Sequence, residues 1–300
     1  MHVVGVGLDA HQDHLLALLR LRLGPIGIEH RRAVGGAGGR GEPRGQHLHA
    51  CLGVDAPVQQ LRDRRPYLIE QGFDATRLMP GTGASAIPDG VELTRAAVEA
   101  GAGGVLVLPP FYYKNVSEDG VFAYYAEVIE RVGDARLRVY LYHIPQLSGV
   151  PITPALVARL VDRYGPTIAG LKDSSGNWEN TAMLLKQFPA LSIFPGSERF
   201  LLQGLAAGGA GCITATANYD TALIRRVIDT PDGAERERLN RRMVAVRTAF
   251  EQHPTIPGLK YALAKRTGNP AWTTVRPPLR PLPDVAGQAL LVALKAAESG

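Results

Sequence analysis

From residue 67 onward the chain alternates two patterns. Short runs that are apolar at nearly every position, 78–83, 104–108, 137–142, 167–171, 191–194 and 211–215, end in glycine- or proline-containing loops. Between them, in 90–100, 118–131, 154–164, 178–188 and 198–207, apolar residues recur every three or four positions. All-apolar runs predict strands buried on both faces, and the longer spacing predicts amphipathic helices. The two alternate with a repeat of about 20–30 residues, the rhythm of βα units around a parallel sheet. Six such strands predict an α/β fold of the (β/α)8 TIM-barrel kind, with two more units to come from the first 77 residues. Helical patterns over 232–251, 256–266 and 283–298 predict a C-terminal helical extension. The expected organisation is an atypical segment over 1–66, barrel units carrying the site over 67–225, and C-terminal helices over 226–300.

The first 66 residues look different. A short strand over 3–9 and a helix over 12–23 are compatible with the pattern, but 30–45 has almost no apolar periodicity and reads as loop or poorly ordered chain. Six of the eight histidines fall between positions 2 and 49, and residues 1–66 hold nine arginines, six acids and no lysine. The first two βα units are therefore expected to be atypical.

Composition narrows the function classes. With 45% hydrophobic and 20% charged residues, the chain reads as a soluble globular protein. No apolar run approaches the roughly 20 residues that cross a bilayer, and no leader pattern opens the chain, so a cytoplasmic protein without membrane contact is expected. Cys51 and Cys212 alone supply neither a disulfide framework nor a zinc site. Of the net charge of +5, +3 lies in residues 1–66, and no basic stripe is interleaved with aromatics, so nucleic acid is not expected as a partner. Gly5-Val-Gly7-Leu-Asp-Ala10 mimics a dinucleotide fingerprint without the acidic residue that closes a clean βαβ unit. His11 with His14, and His47 with His49, are spaced like metal ligands but read as solvated pairs.

In barrels of this kind the site forms at the carboxyl ends of the strands. Those ends deliver Gly81-Thr-Gly-Ala-Ser85, Pro109-Pro-Phe-Tyr-Tyr113, Tyr142-His-Ile-Pro145, Lys172-Asp-Ser-Ser175, Gly196-Ser-Glu198 and Thr214-Ala-Thr-Ala-Asn218. Lys172 stands out, since an amine at the edge of an apolar core is expected to have a depressed pKa and to act as a nucleophile. The other reading is a lysine that snorkels from the strand into water. Tyr142 reads either as a proton donor or as a core tyrosine bonded to backbone. The cluster Phe111, Tyr112, Tyr113 reads equally as part of a site or as an oligomer contact. Thr214 and Thr216 read either as pocket residues or as groups that satisfy backbone at a strand end. His143 either meets a polar substrate group or faces away from the pocket.

Taken together, Gly81-Thr-Gly83, Pro110-Phe-Tyr-Tyr113, Tyr142-His-Ile-Pro145, Gly170-Leu-Lys-Asp-Ser-Ser-Gly176, Gly196-Ser197 and Gly209-Ala-Gly-Cys-Ile213 resemble the dihydrodipicolinate synthase / N-acetylneuraminate lyase family of class I aldolases, in order and in spacing over about residues 67–280. The resemblance implies a TIM barrel with C-terminal helices, usually a homotetramer. It implies that Lys172 forms a Schiff base with pyruvate or a related 2-keto acid and that Tyr142 is the general acid/base. Ile213 would pack over the Schiff base. Tyr113 would reach a neighbouring subunit's site. Gly196 and Thr214 would line the substrate pocket. It implies no metal or organic cofactor, and an aldehyde as the second substrate.

Two departures stand beside it. The family's Gly-Thr-Thr-Gly-Glu loop, which holds the keto-acid carboxylate, has no counterpart; Cys51-Leu-Gly-Val-Asp-Ala-Pro57 falls where it belongs. The composition of 1–66 leads us to expect a shifted reading frame that rejoins near Tyr67, and a non-catalytic product as the alternative to an active enzyme. The dihydrodipicolinate synthase arginine after the Tyr-x-x-Pro motif reads here as Leu147, so a different aldehyde is expected.

Overall fold

The computed structural model describes residues 72–299. The expected strand over 3–9, helix over 12–23, Gly5 motif, histidine pairs and Cys51 loop lie outside the described residues.

Four strands form one parallel sheet in chain order: β1 (Val105–Val107), β2 (Val139–His143), β3 (Ile168–Asp173) and β4 (Ser192–Pro195). The helices between and after them are α1 (Ile87–Glu99), α2 (Glu118–Val132), α3 (Pro145–Ser148), α4 (Pro154–Tyr164), α5 (Trp178–Gln187), α6 (Leu201–Ala206), α7 (Ala217–Asp229), α8 (Ala234–Glu251), α9 (Thr255–Thr267) and α10 (Asp284–Ser299). Local chemistry sets several of the ends. Ser117 accepts from Gly120 N–H at 3.2 Å to start α2, and Gly133, at φ 61°, ends it in the left-handed region. Thr153 accepts from Leu156 N–H at 3.0 Å, with Pro154 in the first turn of α4.

The other two expected strands are thinner than the apolar pattern predicts. Residues 78–83 follow β1 through a bridge between Gly81 and Leu106, with Thr82 N–H donating to Leu106 O at 3.0 Å. Residues 211–215 form no named strand; they follow β4 through Ala210 N–H to Ile193 O at 2.9 Å and Ile213 N–H to Pro195 O at 3.1 Å. Backbone crowding marks the first of these lanes. At Gly83 a Cβ would lie 2.3 Å from Leu108 N, so the two backbones meet at a distance that only glycine permits. The described residues thus contain six neighbouring lanes in chain order. The expected helix over 198–207 splits into a 3-10 turn, Glu198–Phe200, and α6. Helix α7 has no counterpart among the expected elements.

Strand alternation sorts the side chains onto two faces. Val105, Val107, Val139, Leu141, Leu171 and Ile193 pack outward against helices, in a core shared with α2 and α4. On the opposite face Leu106, Tyr140 and Phe194 join Met79 and Ile213 in a separate buried cluster, with Tyr142 against it. Tyr140 fills the space over two glycines: a Cβ at Gly104 would meet its ring at 2.5 Å, and one at Gly170 at 2.7 Å. The C-terminal helices have a further core, with Tyr219, Leu223 and Val227 of α7 against Met243, Val246 and Phe250 of α8 and Leu290 of α10.

Candidate active site

Register brings the two expected reactive residues together. Tyr142 on β2 pairs with Lys172 on β3, which pairs in turn with Phe194 on β4. All three point to the face that carries the Tyr140 cluster. Lys172 Nζ lies 4.1 Å from the centroid of the Tyr142 ring, within cation–π distance. Both side chains are half-buried, two residues beyond the buried register pair of Tyr140 and Gly170 on the same face. Ile213 is 2% exposed and packs in the same cluster as Phe194.

The outward face braces this pair from behind. Asp173 is buried and accepts from Thr181 Oγ1 at 2.6 Å, Asn180 Nδ2 at 2.9 Å and Ser175 N–H at 3.0 Å. His143 shares that face, paired in register with Asp173, and its Nδ1 accepts from Ile152 N–H at 3.0 Å. Burial lowers the imidazole pKa below its usual 6.5, against an opposing pull from Asp173. His143 therefore faces away from Lys172. Beyond the strands, Ser174 N–H donates to His143 O and Gly196 N–H to Asp173 O, each at 2.7 Å. A Cβ at Gly196 would lie 2.1 Å from Ser174 Oγ, so glycine lets the loops after β3 and β4 touch. The Gly81–Gly83 turn is held from outside: Tyr124 OH donates to Ala84 O at 2.6 Å, and Thr94 Oγ1 donates to Thr82 Oγ1 at 2.9 Å.

The remaining expected residues sit further from the pair. Tyr113 is 73% exposed, edge-on to Tyr112 at 5.2 Å, outside the interior cluster. Its loop is tied down by Lys114, which donates to Phe111 O and, at 2.7 Å, to Ser148 O. Leu147 on α3 is 75% exposed. Thr214 is buried, and its hydroxyl donates to Glu198 Oε2 at 2.5 Å and accepts from Arg247 Nη1 at 3.1 Å. Sequence pattern does not single out Arg247, which lies 33 residues from Thr214 on the helix expected over 232–251. Glu198 has a faint signal, following the Gly196-Ser197 turn directly. Cys212 is fully buried, and burial together with the nearby Glu198 charge pushes its thiol up, against Arg247 and Lys172. Among the described residues no three His, Cys, Asp or Glu side chains are grouped to hold a metal ion, and no helix is long and apolar enough to cross a membrane.

Comparison with known proteins assigns the family and the fold. The Dihydrodipicolinate synthetase family model matches residues 71–297. A DapA-like lyase of Chloroflexus aurantiacus is 40% identical over 224 residues, 74% of each chain. The crystal structure of dihydrodipicolinate synthase from Agrobacterium tumefaciens is 30% identical, with a TM-score of 0.72 over 84% of this chain and 87% of that one. YagE, a prophage protein of E. coli K12 from the dihydrodipicolinic acid synthase family solved in complex with pyruvate, shares the fold at 24% identity and a TM-score of 0.75, over 83% of this chain and 87% of that one. The six lanes therefore belong to a (β/α)8 barrel followed by C-terminal helices.

Proposed function

The chain belongs to the dihydrodipicolinate synthetase family, and from that premise we propose that it is a Schiff-base lyase or aldolase acting on pyruvate or a related 2-keto acid. The observation that carries this reading is the register pair of Lys172 and Tyr142 on the interior face, with Nζ 4.1 Å from the ring centroid. In its unprotonated form the Lys172 amine attacks the keto carbon, forming the C–N bond of a carbinolamine. Tyr142 donates its phenolic proton to the carbinolamine oxygen, which leaves as water, and the lysine becomes an iminium. Loss of a proton from the neighbouring carbon gives an enamine, with the Tyr142 phenolate returned to phenol. The enamine carbon bonds to the carbonyl carbon of an aldehyde, whose oxygen takes the Tyr142 proton as its double bond opens; water then adds to the regenerated iminium, releasing the keto product and Lys172 and returning a proton to Tyr142. Run backwards, the same steps cleave the C–C bond.

Ile213 closes the apolar side of the Schiff base, and Gly196 leaves the loop wall bare where it touches Ser174. Thr214, next to Ile213, turns its hydroxyl to Glu198 behind that wall. Tyr113, exposed on its tethered loop, serves the site of a neighbouring subunit in a homotetramer. Leu147, apolar and 75% exposed, offers no charge to a second carboxylate, so the aldehyde partner is one without a carboxylate at that position. The reaction needs no metal or organic cofactor.

The test is reduction with borohydride in the presence of pyruvate, followed by peptide mass spectrometry. The expected result is a reduced adduct on the Lys172 peptide of the native chain and none on Lys172→Ala. Folded protein without an adduct, or with one on another lysine, overturns the proposal. A second reading has one observation in its favour: the family match begins at residue 71, and residues 51–57 contain no threonine. On that reading residues 1–66 come from a shifted frame and the product is inactive. A Gly-Thr-Thr-Gly-Glu loop encoded in another frame of the DNA supports it, and an intact single frame removes it.

A further inference from the structure

A buried charged cluster stands behind the wall that Ile213 gives the interior face. Glu198 is 1% exposed, yet it opens the 3-10 turn that follows β4. Its two carboxylate oxygens are divided between two hydroxyls of one segment. Thr214 Oγ1 donates to Oε2 at 2.5 Å, Thr216 Oγ1 donates to Oε1, and the two hydroxyl oxygens are 3.0 Å apart. Arg247 of α8 completes the cluster. Its Nη1 lies 3.6 Å from Glu198 Oε2 and donates to Thr214 Oγ1 at 3.1 Å, while its Nε donates to Glu251 Oε1 at 2.8 Å. Arg199, next to Glu198, pairs with the other oxygen of Glu251. A carboxylate taken out of water persists only when its lone pairs are filled and a counter-charge is near. Both conditions are met.

The two threonines give the cluster a direction. Thr214 and Thr216 lie on either side of the turn that opens α7, and both hydroxyls reach Glu198, whereas Ile213, next to Thr214 in the chain, lies in the interior cluster. Fixing both hydroxyls to one carboxylate fixes the rotation of the segment about its own axis. That rotation aims Ile213 into the cluster with Phe194, against which Tyr142 packs. Ile213 N–H is held as well, donating to Pro195 O at 3.1 Å.

We infer that Glu198 is a positioning residue for the Lys172 site, acting through Thr214 and Thr216 to hold Ile213 against the Tyr142–Lys172 face. The inference rests on the Schiff-base reading of Lys172. Without Glu198 two buried hydroxyls and Arg247 lose their shared partner, the segment turns, and the wall beside the reacting carbon moves. Glu198 itself does not touch the keto acid.

The experiment measures the maximal rate of pyruvate adduct trapping, its half-saturating pyruvate concentration and the melting temperature. The proteins are the native chain, Glu198→Ala, Glu198→Gln, the pair Thr214→Val with Thr216→Val, and the triple variant. Displacement of a site wall by a remote change costs up to about 100-fold, so a fall of about 10- to 100-fold in maximal rate is expected for Glu198→Ala and for the threonine pair. Half-saturation is expected to move by less than about threefold, the mark of an interaction that acts on the reaction step rather than on binding. The triple variant should be no slower than the slower parent, because the three residues form one device. Glu198→Gln, which keeps one carbonyl acceptor, should fall between Glu198→Ala and the native chain. Should Glu198→Ala not fold, Glu198→Gln and the threonine pair carry the test. Folded variants that trap at the native rate, or rate losses that multiply in the triple variant, overturn the inference. A native chain that forms no adduct defeats the Schiff-base reading itself and this inference with it, and it is seen before any Glu198 variant is made.

Discussion

Tyr142 and His143 are neighbours in sequence and face opposite sides of the sheet, and each supports a different prediction. Tyr142→Phe keeps the ring under Lys172 Nζ and removes only the proton donor. General acid–base catalysis contributes about 10²- to 10⁴-fold, so a loss of that order in the rate of adduct formation is expected, with the melting temperature unchanged. Stopped-flow quenching into borohydride measures it, and a variant as fast as the native chain removes Tyr142 from the proton path. For His143 the sign follows from burial, which lowers its folded pKa below the usual 6.5. Between the two values the unfolded chain binds the extra proton, so stability is complete above the unfolded pKa and falls as pH drops toward the folded one. His143→Asn keeps an acceptor for Ile152 N–H and removes the titration. On going from about pH 7.5 to about pH 5.5 the native chain should lose more melting temperature than this variant. Equal losses would show that His143 does not titrate with unfolding; the other histidines are common to both proteins and cancel. Strand alternation puts Tyr142 and His143 on opposite faces from sequence alone, and the register of Tyr142 with Lys172 decides which face His143 takes. The hydrogen bonds of Thr214 were not readable, because its partners Glu198 and Arg247 lie 16 and 33 residues away.

Elements were legible where their ends are written in local chemistry. α4 spans the residues its pattern predicts because Thr153, Pro154 and Gly165 mark both ends, and α2 does so to within one residue because Ser117 and Gly133 do. α7 escaped because it opens in Thr214-Ala-Thr-Ala-Asn218, which reads as loop, and because Asp220 breaks its helical geometry at φ −141°, ψ 68°. The signal was present in Tyr219, Leu223 and Val227, four residues apart on one face. The strand lanes at 78–83 and 211–215 carry the right apolar content but make ladders of only a few bonds, and at Gly83 the neighbouring backbones crowd together. Crowding also makes one strand position testable. At Gly170 a Cβ would lie 2.2 Å from Ser192 O and 2.7 Å from the Tyr140 ring, so Gly170→Ala must move β3 against β4. Overpacking of a tight core costs about 3 kcal/mol at the upper end of its usual range, and that loss is expected in urea unfolding. Because Lys172 is two residues further along the same face, adduct formation should fall as well. A variant with native stability would mean that β3 and β4 separate freely.

At the scale of the molecule, the described residues supply six lanes of the barrel in chain order, and the family match itself begins at 71. A parallel sheet with uncovered edges is prone to pair with other chains, so closure governs solubility as well as the site. The first 66 residues contain no threonine at all, so they cannot supply the paired threonines that hold the keto-acid carboxylate in this family. On the Schiff-base reading proposed above, the interior face of the described strands offers Lys172 and Tyr142 to the keto group, and donors for the carboxylate beside it fall to residues outside the described ones. Replacing residues 1–66 with the corresponding stretch of the Chloroflexus aurantiacus DapA-like lyase, 40% identical over the shared region, tests this division directly. The chimera is expected to melt cooperatively at a higher temperature than the native chain. Its half-saturating pyruvate concentration in adduct trapping should be lower by about tenfold, as hydrogen bonds to a charged group contribute about 1.5–3 kcal/mol. Its maximal trapping rate should change little, because Lys172 and Tyr142 are common to both proteins. If the chimera and the native chain trap pyruvate with the same half-saturation, the native first quarter already provides the carboxylate site by other residues, and the frame-shifted reading of that segment fails with it.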